Sequence, residues 1–250
     1  RPWFNSAEYT KLHRTCDANI GKVFKKVGTK GEQRRNITIT QELYDLILFM
    51  TNSFIRPTDI KVLQHKHIAV IRAKQTYLRL THPPTKSHGS PVVTMPEAVE
   101  IYDRLLERQR QEGFGEPGDY LFQPEHHENR DYALRTITRQ FDQLLTIANL
   151  KKTASGESRT LYSLRHTCIM FRLTKGDNVA LLTLARSART STEMIDRFYA
   201  KHLHAEMNIQ QLQSMRVGAK ERKGPKTSDK ASSNEVSAKK AQKGVGKAAQ

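Results

Sequence analysis

An arginine sits inside a run otherwise built for a protein interior: TLYSLRHTCIMF (160–171) places Arg165 between LYSL and TCIMF. Flanks this apolar read as a helix whose arginine is not an ordinary solvated side chain. A second segment, ARSARTSTEMIDRFYAKHL (185–203), reads as a helix, a break, and a capped helix that leads to Tyr199. Thr190 and Glu193 stand at the spacing of a capping box. The C-terminal half is therefore constrained to packed helices that carry a guanidinium and, 34 residues later, a phenol.

The rest of the chain reads as mainly helical with one small sheet. Asn5 and Glu8 form a capping box that opens a helix over AEYTKLHRTCDANIGKVF, so RPWFNSAEY looks like a domain start. GTKGE (28–32) reads as a loop. ITITQELYDLILFMTNSFI (37–55) recurs in apolar residues at helical spacing, until Pro57 interrupts and DIKVLQ resumes as a short helix. HIAVI, TYLRLTH and PVVTM are short and β-branched, the pattern of a three-stranded antiparallel sheet. Lys86 falls in the turn between its second and third strands. Pro96 opens another helix, DYALRTITRQFDQLLTIANL (131–150) is amphipathic, and Gly176 ends the helix carrying Arg165. HAEMNIQQLQSM reads as a last helix. The fold class expected is α+β, mainly α with a small three-stranded antiparallel sheet.

The 250 residues allow one large domain or two small ones, and no apolar run approaches the roughly 20 residues of a membrane span. Net charge is +17. A field of that sign draws polyanions and favours nucleic acid as partner. Residues 216–250 hold ten Lys/Arg against three Asp/Glu, a net +7, which leaves +10 on the first 215. The expected organisation is a folded domain over 1–215 and a disordered basic tail over 216–250. The chain begins at Arg1 and reads as an excised or processed segment.

Several motifs are set aside. Gly113, Gly115 and Gly118 spell G-x-G-x-x-G, but after a helix rather than a strand, with acidic neighbours that repel a pyrophosphate. His65/His67, His126/His127 and His202/His204 lack zinc spacing. Cys16 and Cys168 are far apart, and Cys168 reads as a core residue. No metal or other cofactor is called for.

Taken in order, FIRPTDIKVLQHKHI, PPTKSHGSPVV, LYSLRHT and ARTSTEMIDRFYAKH resemble the boxes of the tyrosine recombinase (phage integrase) family. The match runs over roughly residues 2–205. The resemblance implies a catalytic domain in which Arg56 and Arg165 hold the scissile phosphate of double-stranded DNA. Lys86 would be the acid to the leaving 5′ oxygen, and Tyr199 the nucleophile that forms a 3′-phosphotyrosine. Tyr162 occupies the usual histidine position of H-x-x-R, and Thr190 the usual His/Trp position. Both departures keep a hydroxyl that can donate a hydrogen bond. Asp59 is read as orienting Arg56, and His166 as a buried hydrogen-bonding residue rather than a base. The resemblance also implies a cytoplasmic, DNA-associated protein of bacterial or phage origin. It would act as a homotetramer on DNA, with a helix over 203–215 packing on a neighbour, or be a monomer without DNA.

The chemistry of these residue types agrees. A tyrosine with a pKa of about 10 is ionised in about one copy in a thousand at neutral pH, so attack on phosphorus needs nearby cations or a proton acceptor. Arginine forks suit phosphate oxygens, and lysine suits proton delivery. The reading is a site-specific recombinase or integrase that cleaves and rejoins DNA without a metal. Two rivals remain at this point: a non-catalytic DNA-binding protein on a degenerate scaffold, and a type IB topoisomerase-like enzyme.

Overall fold

The computed structural model describes residues 2–27, 33–83, 91–176 and 179–199. Lys86, the expected helix over 203–215 and the tail 216–250 lie outside the described residues.

Helix α1 (Ser6–Asp17) opens with the expected capping box: Glu8 N–H donates to Asn5 Oδ1 at 2.9 Å, and Asn5 N–H donates to Glu8 Oε2 at 3.0 Å. It stops earlier than its periodicity suggests. Gly21, at φ 81°, turns the chain into strand β1 (Val23–Val27), which pairs antiparallel with β2 (Gln33–Thr38). This hairpin was not legible as one. Ile37 and Thr38, expected at the start of a helix, finish β2 instead. Thr40 decides the boundary, because its Oγ1 accepts from Leu43 N–H at 3.2 Å and caps α2 (Gln41–Ser53).

Helix α2 is the core element. Leu43, Leu46, Ile47 and Met50 recur at i, i+3, i+4 and i+7 and are fully buried. Each such side chain contributes about 1.5–3 kcal/mol by leaving water. The helix packs against α1, α3 (Glu97–Gln111) and α5 (Tyr162–Lys175). Asp45, also fully buried, is held by Arg104 at 2.6 Å and by Arg108, which ties α2 to α3. Phe54 ends α2 in a left-handed conformation, φ 56°, and that turn redirects its carbonyl.

After a 3₁₀ turn at Pro57–Lys61, the expected sheet forms from β3 (Ile68–Arg72), β4 (Thr76–Leu80) and β5 (Val92–Val93), antiparallel in that order. Lys86 belongs to the β4–β5 connection. The glycine-rich stretch at 113–118 follows α3 and reverses the chain, with Gly113 at φ 86° and Gly115 at φ 101°.

Three more helices complete the described part: α4 (Arg130–Ile147), α6 (Leu181–Ser187) and α7 (Thr192–Tyr199). Arg159 fixes the entry to α5. It pairs with Glu8 at 2.6 Å and donates to the carbonyls of Trp3 and Leu150, both at 3.2 Å. Gly176 ends α5 by closeness rather than by conformation, since a Cβ there would stand 2.5 Å from the Arg172 carbonyl oxygen. The architecture is mainly helical with small antiparallel sheets; the helices and the three-stranded sheet agree with the sequence, and the β1–β2 sheet is additional.

Candidate active site

Tyr162, Arg165, His166 and Ile169 fall at i, i+3, i+4 and i+7 on α5, so one face of that helix presents all four. They line a pocket of about 220 Å³ together with Arg56, Thr190, Met194, Phe198 and Tyr199. Five of the six residues singled out from the sequence therefore converge, from segments more than 140 positions apart in the chain. The sixth, Lys86, lies outside the described residues.

Arg165 is 3% exposed, and its partners are backbone. One guanidinium nitrogen donates to the Phe54 carbonyl and another to the Ala188 carbonyl. Burial first, and the charge of Arg56 second, lower its pKa from the usual arginine value. Arginine starts so high that the group stays cationic. Among the described residues no carboxylate lies within ion-pair distance of it. Arg56 donates to the carbonyl of Arg189 at 2.5 Å. Ala188 and Arg189 form the turn between α6 and α7, so one turn holds both guanidiniums.

That turn is strained. Arg189 adopts φ 48°, a left-handed conformation that favours glycine. Its side chain is buried and pairs with Asp59, a partner the sequence reading assigned to Arg56. Asp59 touches Arg56 only through the backbone, accepting its N–H at 2.7 Å. His82 Nε2 stands 3.4 Å from the same carboxylate. Burial alone would raise the Asp59 pKa, but His82, the Arg189 charge and the Arg56 N–H together bring it below the ordinary value. Asp59 thus links the Arg56 segment, the end of β4 and the α6–α7 turn.

Thr190 is not the cap of α7. Its N–H closes α6 by donating to the Ala185 carbonyl at 2.9 Å, and it borders the pocket. Ser191 caps instead, its Oγ accepting from Met194 N–H at 3.2 Å. The box was read one residue early because Thr and Ser adjoin and both suit the position.

Tyr199 ends α7, 6% exposed, and its hydroxyl lies 2.5 Å from His166 Nδ1. The Tyr162 ring tilts against the His166 ring, with centroids 4.9 Å apart. Arg189 was passed over by sequence reasoning, whereas His166 was read as a buried hydrogen-bonding residue and is one. The signal for His166 was its place one turn beyond Tyr162 on the same face. For Arg189 the signal was an arginine at the break between two helices, next to Thr190. Among the described residues no group of three or more His, Cys, Asp or Glu is arranged to hold a metal ion, and no helix is long and apolar enough to cross a membrane.

No protein-family model matches the sequence, and no curated protein matches it. Solved structures do. A XerA recombinase is 13% identical, with a TM-score of 0.54 over 86% of this chain and 66% of that one. The XerH site-specific recombinase, solved on its difH substrate before cleavage, is 13% identical with a TM-score of 0.55, covering 86% of this chain and 54% of that one. The Tn1549 transposon integrase, solved with transposon right end DNA, is 15% identical with a TM-score of 0.52, covering 86% and 65%. The chain spans between about half and two thirds of their lengths. At such identities the likeness is one of fold.

Proposed function

We propose, from the premise that this chain has the tyrosine recombinase catalytic-domain fold, that it breaks and rejoins DNA as a site-specific recombinase or integrase. The observation that carries the reading is the pocket shared by Arg56, Arg165 and Tyr199. Two fixed cations and a nucleophile on one cavity suit a single phosphorus atom. In this reading Arg56 and Arg165 bind the scissile phosphate. The carbonyls that grip them keep the forks oriented, so little reorganisation is needed as charge builds in the transition state. Tyr199 attacks, and the Tyr Oη–P bond forms as the P–O5′ bond breaks. Lys86, on the β4–β5 connection, gives the leaving 5′ oxygen its proton. Tyr162 and Thr190 donate hydroxyl hydrogen bonds to the phosphate. The 5′-OH of another strand reverses the step.

The solved structures that are similar in fold include recombinases and integrases held on DNA. The net charge of +17 supports the same partner. Double-stranded DNA is the proposed substrate, with a homotetramer as the working assembly and the basic tail over 216–250 adding phosphate contacts.

The test is covalent trapping. The protein is incubated with nicked duplexes whose core is randomised, and adducts that survive denaturation are recovered and sequenced. Wild type is expected to yield adducts enriched in one site, and Tyr199→Phe none. Salt-sensitive duplex binding without an adduct from either protein would mean a DNA-binding scaffold without chemistry. Adducts and plasmid relaxation without site preference would mean a topoisomerase.

A further inference from the structure

We propose that His166 is the proton acceptor for the Tyr199 hydroxyl during cleavage and the donor that restores that proton during rejoining. This deepens the recombinase reading and rests on it. The geometry is direct: His166 Nδ1 lies 2.5 Å from Tyr199 Oη, between two buried residues. A base must reach the proton it removes within hydrogen-bond distance, and this one does.

Among the described residues, the rest of the pocket supplies no rival. Among the described residues that line it, Arg56 and Arg165 are cations, Thr190 and Tyr162 are hydroxyls, and Ile169, Met194 and Phe198 are apolar or a thioether. Imidazole is the group there that is basic near neutral pH. Asp59, the nearest carboxylate named in the site, is engaged by Arg189 and the Arg56 N–H. Tyr162, at the usual histidine position, is a phenol with little capacity to accept. Its ring instead packs on His166 and helps fix the imidazole plane. His166 stands four positions, about one turn, beyond Tyr162 on α5 and lines the same pocket.

The step balances. Neutral His166, with its hydrogen on Nε2, takes the Tyr199 proton on Nδ1 as Oη bonds to phosphorus. The P–O5′ bond breaks and the leaving oxygen is protonated by a separate acid. In rejoining, the 5′-OH attacks as its proton returns to the deprotonated form of that separate acid, the Oη–P bond breaks, and the imidazolium returns its proton to Oη. Among the described residues, the charged and titratable groups that line this pocket with His166 are Arg56 from the segment before Pro57, Arg165 on its own helix, and Tyr162 and Tyr199. The charge of Arg189, in the α6–α7 turn, also reaches Arg165.

The experiment measures single-turnover adduct formation against pH on the nicked duplex recovered from the trapping pool. His166→Asn keeps an oxygen near the Nδ1 position but has no basicity. It is expected to slow cleavage by about 10²–10⁴-fold and to erase the fall in rate that wild type shows as imidazole becomes protonated. A second assay uses a strand ending in a 3′-p-nitrophenyl phosphate, attacked by a 5′-OH in the Tyr199→Phe background. That leaving group departs without a proton, so adding His166→Asn is expected to leave its rate unchanged. Equal loss in both assays, or an unchanged pH profile in the first, would overturn the proposal. A wild type that forms no adduct would overturn the recombinase reading itself.

Discussion

Arg56 and Arg165 hang from adjacent carbonyls of one turn: Arg56 donates to the Arg189 oxygen and Arg165 to the Ala188 oxygen. The turn leads directly into α7, the helix that ends in Tyr199. Any movement of α7 at its start therefore moves the two cations as well. The cost is local. Arg189 and Phe54 both adopt left-handed conformations, at roughly 1 kcal/mol or more apiece, and both lend carbonyls to the guanidiniums.

Arg165 is a buried cation held by carbonyls, so its removal should separate stability from activity. Arg165→Met fills similar volume without a charge to desolvate. We expect unfolding free energy within about 2 kcal/mol of wild type and adduct formation lower by at least about 10²–10³-fold. Urea titrations and the trapping assay measure the two. A large loss of stability would show the guanidinium to be a structural clamp first.

Arg189→Gly sets two effects against each other. Glycine relieves the strain at φ 48°, worth about 1 kcal/mol, but Asp59 loses its buried partner, at about 3–5 kcal/mol. Net destabilisation is expected. In the Asp59→Asn background the same change should cost much less, a coupling within about 0.5–3 kcal/mol by double-mutant cycle. Additive losses would mean that the pair contributes nothing specific.

Neighbouring hydroxyls at 190 and 191 should divide their roles. Ser191→Ala removes the cap of α7 and should cost about 1 kcal/mol of stability. Thr190→Ala should leave the melting temperature nearly unchanged and slow cleavage. The reverse pattern would return the cap to Thr190.

Glu42 gives a pH dependence remote from the site. Its carboxylate end is packed in against Gln123, whose backbone and side-chain N–H groups both donate to it, although the residue keeps some exposed surface. Burial outweighs those hydrogen bonds and pushes its pKa up to about 7 from 4.5. The folded state therefore holds this proton more tightly than the unfolded state. The stabilisation is fully present below about pH 4.5 and is lost as pH rises through about 7, on the order of 2–3 kcal/mol. Thermal melts of Glu42→Gln should lose that slope between pH 5 and 8; an unchanged slope would place its origin elsewhere.

Read alone, the residues 160–203 were enough to bring out α5, α6 and α7 and to single out Arg165 and Tyr199. A guanidinium among apolar neighbours and a tyrosine past a capped helix are local patterns. The three-stranded sheet and the α1 capping box were legible for the same reason, since alternation and capping act over a few residues. The β1–β2 hairpin was lost because its strands adjoin true helices and share their residues with plausible extensions of them. What contacts between distant segments decided was partnership. Asp59 pairs with Arg189 rather than with the Arg56 side chain, and His166 meets Tyr199 across 33 positions. Such pairings depend on how α5, the Pro57–Lys61 turn and the α6–α7 turn come to rest against one another. That is set by burial of their apolar faces, which no local pattern records.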